Sequence, residues 1–408
     1  MTAIASFAGR RILIGVCGGI AAYKLCEVAS QLAQAGAEVR VILTSGAEKF
    51  VSPLTFSNLC RHPAYTDADF WSARHGRPLH IELGEWAEVM LIAPLTANTL
   101  AKLRYGQADN LLTNTVLATT APLLLAPAMN TDMWLQPVVQ ENWQTLRSRP
   151  QVLGLEPASG RLACDRVGSG RLPEPIAILA ALESLLWTTG KADLQGLKIL
   201  VNAGGTREFL DPVRFIGNPS SGRMGVMLAI AAQHRGAQVQ LIHAPLTNIE
   251  PGLLTSLDCQ AVVSTEELAE AMTVAAPSAD WVLLAAAVGD VRPELRSHQK
   301  LSKAELPASL PLQLLPDIAA QLSQQRHPTQ KLIGFAAQTG EILEPAIAKL
   351  RRKGLDAIIA NAVDQPGQGF GSATNAAIAL RPDGSSQPLG FRSKLSLAHA
   401  ILDFVKNL

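Results

Sequence analysis

Twice in 408 residues a short β-branched run ends in paired glycines and leads toward a helical pattern. Arg11-Ile12-Leu13-Ile14-Gly15-Val16 runs into Cys17-Gly18-Gly19-Ile20-Ala21-Ala22-Tyr23-Lys24, and Lys198-Ile199-Leu200-Val201-Asn202-Ala203 runs into Gly204-Gly205-Thr206-Arg207-Glu208. A strand ending in glycines before a helix is how an α/β nucleotide site begins, because the missing side chains let a phosphate reach backbone N–H groups near a helix N-terminus. Glycine-rich βα turns also occur in folds that bind nothing, so one instance leaves the ligand open. Two of them predict two nucleotide-type domains, and two chemistries in one polypeptide.

The length fits roughly two to three domains, each large enough for its own core. The 35 basic and 34 acidic residues leave a net charge of +1. No global field therefore draws nucleic acid or an anionic membrane, and neither is expected as a partner. Charged residues are only 17% and hydrophobic residues 48%, which predicts much surface buried in strands, between domains or between subunits. No apolar run reaches the ~18 residues of a spanning helix. Met1-Thr2-Ala3-Ile4-Ala5-Ser6-Phe7 lacks the basic start and apolar core of a signal peptide. The cysteines (Cys17, Cys26, Cys60, Cys164, Cys259) are scattered and form no CxxC pair. That argues against a disulfide framework or a zinc site and for a reducing cytoplasm, in which any special cysteine would be a reactive thiol.

Apolar runs at 12–16, 39–43, 89–93, 123–126 and 152–155 read as buried parallel strands. Helical patterns at 21–35, 96–104 with 110–119, and 138–147 separate them, and a last helix spans 176–186. Five strands with helical crossovers predict an α/β fold, a flavodoxin-like doubly wound parallel sheet with its ligand at the carboxyl ends of the strands. A boundary near 190 gives domains 1–190 and 191–408. The second half repeats the alternation as a Rossmann-like α/β domain, with strands at 199–203, 239–242, 261–263, 281–286, 332–336 and 357–360 and helices at 223–234, 266–275 and 341–353. A hairpin and a helix over 393–404 close it. An irregular Pro- and Lys-rich segment, 288–308, interrupts it; a loop of about 20 residues inside a compact domain is more often a functional lid than an accident.

Three strand ends in the first half carry polar residues that packing does not ask for. They are Pro94-Leu95-Thr96-Ala97-Asn98-Thr99, Pro127-Ala128-Met129-Asn130-Thr131-Asp132-Met133-Trp134, and Ser159-Gly160-Arg161-Leu162-Ala163-Cys164-Asp165 with Gly168-Ser169-Gly170-Arg171. Upstream stands Leu79-His80-Ile81-Glu82, a single histidine just before a helical stretch. Singly, Thr96 and Asn130 read equally well as helix caps, His80 as a satisfied, partly buried histidine and Cys164 as an inert small apolar residue. Together they bring donors, an amide, a base and a thiol to one edge of one sheet.

These segments, with Cys17-Gly18-Gly19-Ile20-Ala21-Ala22-Tyr23-Lys24, resemble the flavin-containing cysteine decarboxylases over residues 10–187. The resemblance implies FMN at the strand ends, oxidation of a substrate cysteine thiol to a thioaldehyde, and loss of CO2 into that electron sink, with the protein supplying position and protons. It implies His80 as active-site base, Asn130 as the amide that grips the substrate carboxylate, and Cys164 as the acid that protonates the enethiolate. A thiol is acidic enough to give up a proton near neutral pH. Gly18, Gly19, Ile20, Thr44, Ser45, Thr96, Asn98 and Met129 are the implied FMN residues.

In the second half, Asp211-Pro212-Val213-Arg214-Phe215-Ile216-Gly217-Asn218-Pro219-Ser220-Ser221-Gly222-Arg223-Met224-Gly225 announces a helix for which Ser220 and Ser221 are good caps. Ala285-Ala286-Ala287-Val288-Gly289-Asp290 reads as a strand ending in an acidic residue suited to a metal-bound phosphate. Lys300 and Lys303 stand in the long segment, and Pro316-Asp317-Ile318 and Gly334-Phe335-Ala336-Ala337 follow. Lys349 and Lys353, i and i+4, share a helix face. Two lysines in a last turn also simply complement the helix dipole, and periodicity alone favours that reading.

These motifs resemble the phosphopantothenate–cysteine ligase domain over 196–408, and the order of the two halves resembles the bacterial bifunctional enzymes of coenzyme A biosynthesis. The resemblance implies that CTP and Mg2+ activate the carboxylate of 4′-phosphopantothenate as an acyl-cytidylate, which cysteine then displaces. It implies CTP contacts from Ala285, Ala286, Asp290, Lys300, Pro316, Asp317, Ile318, Ala319, Phe335, Lys349 and Lys353. Lys300 would stabilise charge during nucleotide attack and Asn218 would position the acyl-cytidylate; the metal ligands are unassigned. The family also implies a cytoplasmic homo-oligomer, ligase dimers joined through decarboxylase trimers into a dodecamer. Two departures stand out: Phe335-Ala336-Ala337-Gln338-Thr339 has Gln where Glu is expected, and Lys300-Leu301-Ser302-Lys303 has fewer lysines than expected. A peptidyl-cysteine decarboxylase relative fused to a nucleotide-binding domain is disfavoured by the intact ligase motifs. A non-catalytic regulator is disfavoured by the presence of both His80 and Cys164.

Overall fold

The computed structural model describes residues 5–306, 308–362, 364, 369 and 371–408. Contacts divide the chain into two compact units, Met1–Ala192 and Asp193–Leu408.

In the N-terminal unit, β1 (Arg11–Val16), β2 (Glu38–Leu43), β3 (Ala64–Tyr65), β4 (Val89–Leu95), β5 (Leu123–Pro127) and β6 (Val152–Gly154) form one sheet in the order β3-β2-β1-β4-β5-β6. Every pairing is parallel. Alternate residues feed two separate cores. Ile12, Ile14, Val41 and Leu91 meet helices Lys24–Gln34, Pro53–Cys60 and Pro175–Thr188 on one face. Leu13, Ile42, Met90 and Ile92 meet helices Leu79–Trp86, Ala97–Tyr105, Leu111–Ala118 and Pro137–Arg147 on the other. Burial on both faces is why these strands are nearly continuous apolar runs. The doubly wound sheet thus has a sixth strand, the two-residue β3, and its order is that of dinucleotide-binding sheets. The order reverses between β1 and β4, the switch point at which such sheets bind ligands. An antiparallel hairpin, β7 (Ala158–Arg161) and β8 (Val167–Arg171), stands apart from the sheet.

The C-terminal unit begins with β9 (Lys198–Ala203) and a hairpin of β10 (Arg207–Phe209) and β11 (Phe215–Gly217). β12 (Gln238–His243), β13 (Asp258–Ala261) and β14 (Trp281–Leu284) follow, then a second hairpin of β15 (Val291–Pro293) and β16 (Leu312–Leu314). β17 (Lys331–Gln338), β18 (Ala357–Ala362), β19 (Thr374–Leu380) and β20 (Ser386–Ser393) complete an eight-stranded sheet, β13-β12-β9-β14-β17-β18-β19-β20. It is parallel up to β18 and antiparallel beyond. Its order also reverses between the first strand, β9, and β14.

Four expectations need correction. The edge strand lies at Asp258–Ala261 rather than 261–263, because its residues are exposed and no apolar run marks them. The strand expected over 281–286 stops at Leu284, so Asp290 stands six residues beyond it. The segment 288–308 is not irregular throughout: β15 opens it and pairs with β16, while its Pro307 lies outside the described residues. The helix Arg223–His234 is capped by Gly222 in the left-handed region (φ 77°), not by Ser220 or Ser221. Among the described residues no helix is long and apolar enough to cross a membrane.

Candidate functional sites at the two sheet switch points

Parallel strands deliver their carboxyl ends to one edge, so the loops after β1, β2, β4 and β5 share that edge of the N-terminal unit. Gly18 and Gly19 are half-buried and Ile20 is exposed. The loop after β2 approaches Gly18 so closely that a Cβ there would meet the Gly46 backbone at 2.7 Å. Thr44 donates its hydroxyl to the Val16 carbonyl at 3.3 Å and accepts the Ala47 N–H at 3.3 Å; Ser45 is exposed. Thr96 caps helix Ala97–Tyr105, accepting the Thr99 N–H, and Asn98 is exposed in its first turn. A Cβ on Gly19 would lie 3.8 Å from Pro94 Cγ and 4.0 Å from Thr96 Cγ2, an ordinary contact that leaves the crevice between the β1 and β4 loops open. Cys17 belongs to the packing: burial pushes its thiol up to about 11, partly offset by hydrogen bonds with the Thr99 side chain and Thr96 backbone.

After β5, Asn130 caps the short helix Thr131–Trp134, its Oδ1 accepting the Asp132 N–H at 2.8 Å. That cap orients the other end of the amide, whose Nδ2 donates to Cys164 Sγ at 3.2 Å. Cys164 is exposed in the turn between β7 and β8. The turn is closed by Leu162 N–H to the Arg166 carbonyl at 2.8 Å and by an ion pair between Arg161 and Asp165 at 2.6 Å. The hairpin is fastened to the β5 loop by Met129 N–H to the Gly170 carbonyl at 2.9 Å and by an ion pair between Arg166 and Asp132. His80 is the second residue of helix Leu79–Trp86 rather than a residue before it. Its ring meets Phe70 edge to face at 5.5 Å, and its buried Nδ1 has no hydrogen-bond partner among the described residues. Thr131 Oγ1 is likewise buried without one. The structure thus joins Asn130 to Cys164, and no hydrogen bond among the described residues joins His80 to either. Sequence reading missed the hairpin, since Val167 is its one β-branched residue; the repeated Ser-Gly-Arg of 159–161 and 169–171 around a polar turn is the signal it left.

In the C-terminal unit the loop after β9 lies against the segment after β14. The Thr206 N–H donates to the Ala287 carbonyl at 3.3 Å and the Ala287 N–H to the Gly204 carbonyl at 2.8 Å. Asn202 Oδ1 accepts the Ala286 N–H at 2.8 Å. Asn218 donates its amide to the carbonyls of Ala287 and Val288, at 3.4 and 3.2 Å. Beyond this seam stand Asp290, exposed, and half-buried Ala285 and Ala286.

Asp317 caps helix Ile318–Gln325, accepting the Ala320 N–H at 3.2 Å, and pairs with Lys353 at 3.1 Å. Burial opposes its ionisation, but the Ala320 N–H and Lys353 outweigh it and hold the carboxyl below the ordinary range. Lys349 donates to the Phe335 carbonyl at 2.9 Å. Burial first and neighbouring Lys353 second lower its pKa, with Asp290 and Asp317 offsetting part of that. Asp290, Asp317, Phe335, Lys349 and Lys353 therefore form one cluster, and the two lysines do more than complement a helix end. Pro316 is exposed, Ala319 half-buried, and Ile318 points into the core. Gln338, half-buried, ends β17.

Lys300 is not brought into this cluster by any contact among the described residues; it and Lys303 are exposed. What is fixed is its neighbour. Fully buried Asp211 accepts the N–H groups of Val213, Arg214 and Leu301, at 2.8, 2.7 and 3.3 Å, and pairs with Arg214, which donates to the Leu301 carbonyl at 3.1 Å. Burial opposes ionisation of Asp211, yet these donors together hold its carboxyl below the ordinary range. Among the described residues no group of three His, Cys, Asp or Glu could hold a metal ion.

Comparison with known proteins places these sites in context. Residues 5–186 match the family described as Flavoprotein, and residues 194–408 match the DNA/pantothenate metabolism flavoprotein C-terminal domain. The chain is 41% identical over 400 residues to the coenzyme A biosynthesis bifunctional protein CoaBC of Bacillus subtilis, covering 98% of this chain and 97% of that one. It is 41% identical over 411 residues to the protein of the same name from Mycobacterium bovis, covering 97% and 96%. A crystal structure of the C-terminal domain of such a protein is 33% identical, covers 53% of this chain and 97% of its own, and superposes with a TM-score of 0.44.

Proposed function

The chain belongs to the family of bifunctional coenzyme A biosynthesis proteins, and from that premise we propose which residues carry each half of its work. The enzyme ligates cysteine to 4′-phosphopantothenate and decarboxylates the product to 4′-phosphopantetheine. Decarboxylation belongs to residues 1–190 and ligation to 191–408.

In the ligase half, a carboxylate oxygen of 4′-phosphopantothenate attacks the α-phosphorus of CTP. Pyrophosphate leaves and an acyl-cytidylate forms. The amine of cysteine then attacks the acyl carbon, forming the amide as CMP leaves. Activation is needed because a carboxylate is a poor electrophile. Lys349, Lys353, Phe335, Ala285, Ala286, Asp290 and the turn at 316–319 hold CTP, and Lys300 neutralises charge as pyrophosphate departs. Asn218, standing beside the 287–288 backbone, orients the acyl-cytidylate for the amine. Mg2+, which commonly binds through substrate phosphates and one or two carboxylates, would be carried by CTP, and Asp290 is the exposed carboxylate that could meet it.

In the decarboxylase half, the open crevice at Gly19 and the unpartnered Nδ1 of His80 fit a bound flavin and substrate. Gly18, Gly19, Ile20, Thr44, Ser45, Thr96, Asn98 and Met129 would hold FMN, which supplies an acceptor and then a donor for the two electrons moved during the reaction. His80 takes a proton from the substrate's cysteine end. Asn130 grips the carboxylate that leaves as CO2, and Cys164 returns a proton to the decarboxylated enethiolate. The observation that carries this half is the 3.2 Å contact between the Asn130 amide and the Cys164 thiol, which supports one substrate meeting both groups.

The test is Cys164→Ser in the full-length enzyme supplied with 4′-phosphopantothenate, cysteine and CTP. A serine hydroxyl is a far weaker acid than a thiol, so CO2 should be released while an oxidised, decarboxylated aminoenethiol accumulates. Normal formation of 4′-phosphopantetheine would show that Cys164 does not supply the proton and is an exposed turn residue only.

A further inference from the structure

We propose that Glu208, Thr265 and Thr206 form a directional hydrogen-bond relay that positions the nucleotide loop of the ligase unit; the proposal rests on the assignment of residues 285–290 to CTP. All three side chains are buried in the C-terminal unit, the two threonines completely. Glu208 Oε1 receives the Thr265 N–H at 2.8 Å, which makes that oxygen an acceptor, and lies 2.7 Å from Thr265 Oγ1. The Thr265 hydroxyl has a single proton, and it goes to Glu208. Thr265 Oγ1 must then accept from Thr206 Oγ1, 3.0 Å away. With its own proton spent there, Thr206 Oγ1 can only accept from the Gly289 N–H, at 2.8 Å. Each link fixes the direction of the next.

Two facing threonines alone could share their protons either way round. In the reverse sense, Thr206 Oγ1 would accept from both Thr265 and the Gly289 N–H, and its own buried proton would have to find another acceptor. Glu208 removes that alternative. The loop so fixed leads directly into Asp290, whose carbonyl accepts the Leu315 N–H at 2.9 Å, beside Pro316 and Asp317. The relay therefore sets the position of two segments assigned to CTP without touching the nucleotide. Glu208, Thr206 and Thr265 are positioning residues.

The experiment follows pyrophosphate release against CTP concentration in the full-length enzyme at saturating 4′-phosphopantothenate and cysteine. Thr265→Val keeps the shape and the N–H to Glu208 but loses the hydroxyl, and Thr206→Val breaks the next link. Each should raise KM for CTP about tenfold, because Thr265→Val leaves the buried Thr206 proton without its acceptor and Thr206→Val leaves the Gly289 N–H without its own. Thr265→Ser and Thr206→Ser should return KM close to that of the parent enzyme, with kcat less affected throughout. Should a valine variant fail to fold, Glu208→Gln, which retains an acceptor oxygen of lower charge, should raise KM by a few-fold. Asp290→Asn, a direct contact, separates this idea from the reading beneath it. If Asp290→Asn raises KM for CTP while the valine variants do not, or serine fails to restore it, the relay is structural only. If Asp290→Asn leaves KM unchanged, the nucleotide assignment falls and the relay's role with it.

Discussion

In both units the main sheet reverses its order between the first strand and the fourth, so the loops that follow those strands face each other across a switch point. In the N-terminal unit that crevice is open: Gly19 is extended (φ −157°), and a side chain there would make only ordinary contacts with Pro94 and Thr96. In the C-terminal unit it is sewn shut by the bonds between Thr206, Ala287 and Gly204, and a Cβ on Gly205 would lie 2.6 Å from the Asn218 carbonyl oxygen. Gly19 leaves room for a ligand, whereas Gly18, Gly204 and Gly205 each let the chain close on itself. The charged groups of the C-terminal unit gather instead beyond the seam, around Asp290, Phe335, Lys349 and Lys353. Paired glycines after a strand mark a close approach, and only the structure says whether a ligand or the chain makes it.

The largest effect should come from the residue that separates the two sites most. Asn130 and Cys164 touch in the first unit, whereas Lys300 stands exposed between Gln299, bonded to Ser297, and Leu301, bonded to Asp211 and Arg214. If Lys300 nonetheless meets the charge on departing pyrophosphate, Lys300→Gln should slow pyrophosphate release at saturating CTP roughly a hundred- to thousandfold, about 3–4 kcal/mol. A solvated lysine would cost about 1 kcal/mol or less. A loss under about fivefold would leave the C-terminal site to the Lys349 cluster alone.

The glycine contrast itself is broken or kept by two alanines. Gly205→Ala forces a methyl against a backbone carbonyl and should lower unfolding stability by about 1–3 kcal/mol, with ligation impaired. Gly19→Ala should leave stability within about 0.5 kcal/mol of the parent. Its methyl would occupy the open crevice instead, weakening FMN binding about tenfold, as read by flavin titration. Loss of stability in Gly19→Ala, with flavin affinity intact, would reverse the comparison.

What could be read from the sequence follows from where each residue's energy comes from. The strands β1, β2, β4 and β5 are buried on both faces, so composition marks them, whereas β3 is two residues long and β13 lies exposed at an edge. Thr96 and Asn130 do cap helices, and capping is local enough to read. Lys349 and Lys353 could be placed on one face by spacing alone. Their grouping with Asp290 and Asp317 could not, because those residues arrive from other strand ends. Nor could the contact between Asn130 and Cys164, which a glycine-rich hairpin makes across 34 residues. Asp211, Arg214 and Glu208 were visible in the motifs, but their partners Leu301 and Thr265 are supplied by tertiary structure.

The smallest effect concerns how the C-terminal cluster carries its charge. Lys349 is held below the ordinary lysine range by burial and, after that, by the positive charge of Lys353. If protonated Lys349 holds CTP phosphate, kcat/KM for CTP should fall as pH rises through this lowered value, earlier than an ordinary lysine near 10.4 would allow. Lys353→Gln removes the second cause and leaves the first. The Lys349 pKa then rises part of the way back, and the descending limb moves to higher pH by a fraction of a unit, even though the variant binds CTP more weakly overall. Asp317, losing its partner at 3.1 Å, becomes freer to face Lys349, which pushes in the same direction. Rates of pyrophosphate release at subsaturating CTP, from about pH 7 to about pH 10, resolve the limb. A limb that stays in place or moves to lower pH would show that Lys349 does not bind the nucleotide as a cation, and that the cluster holds CTP through its backbone and Asp290 instead.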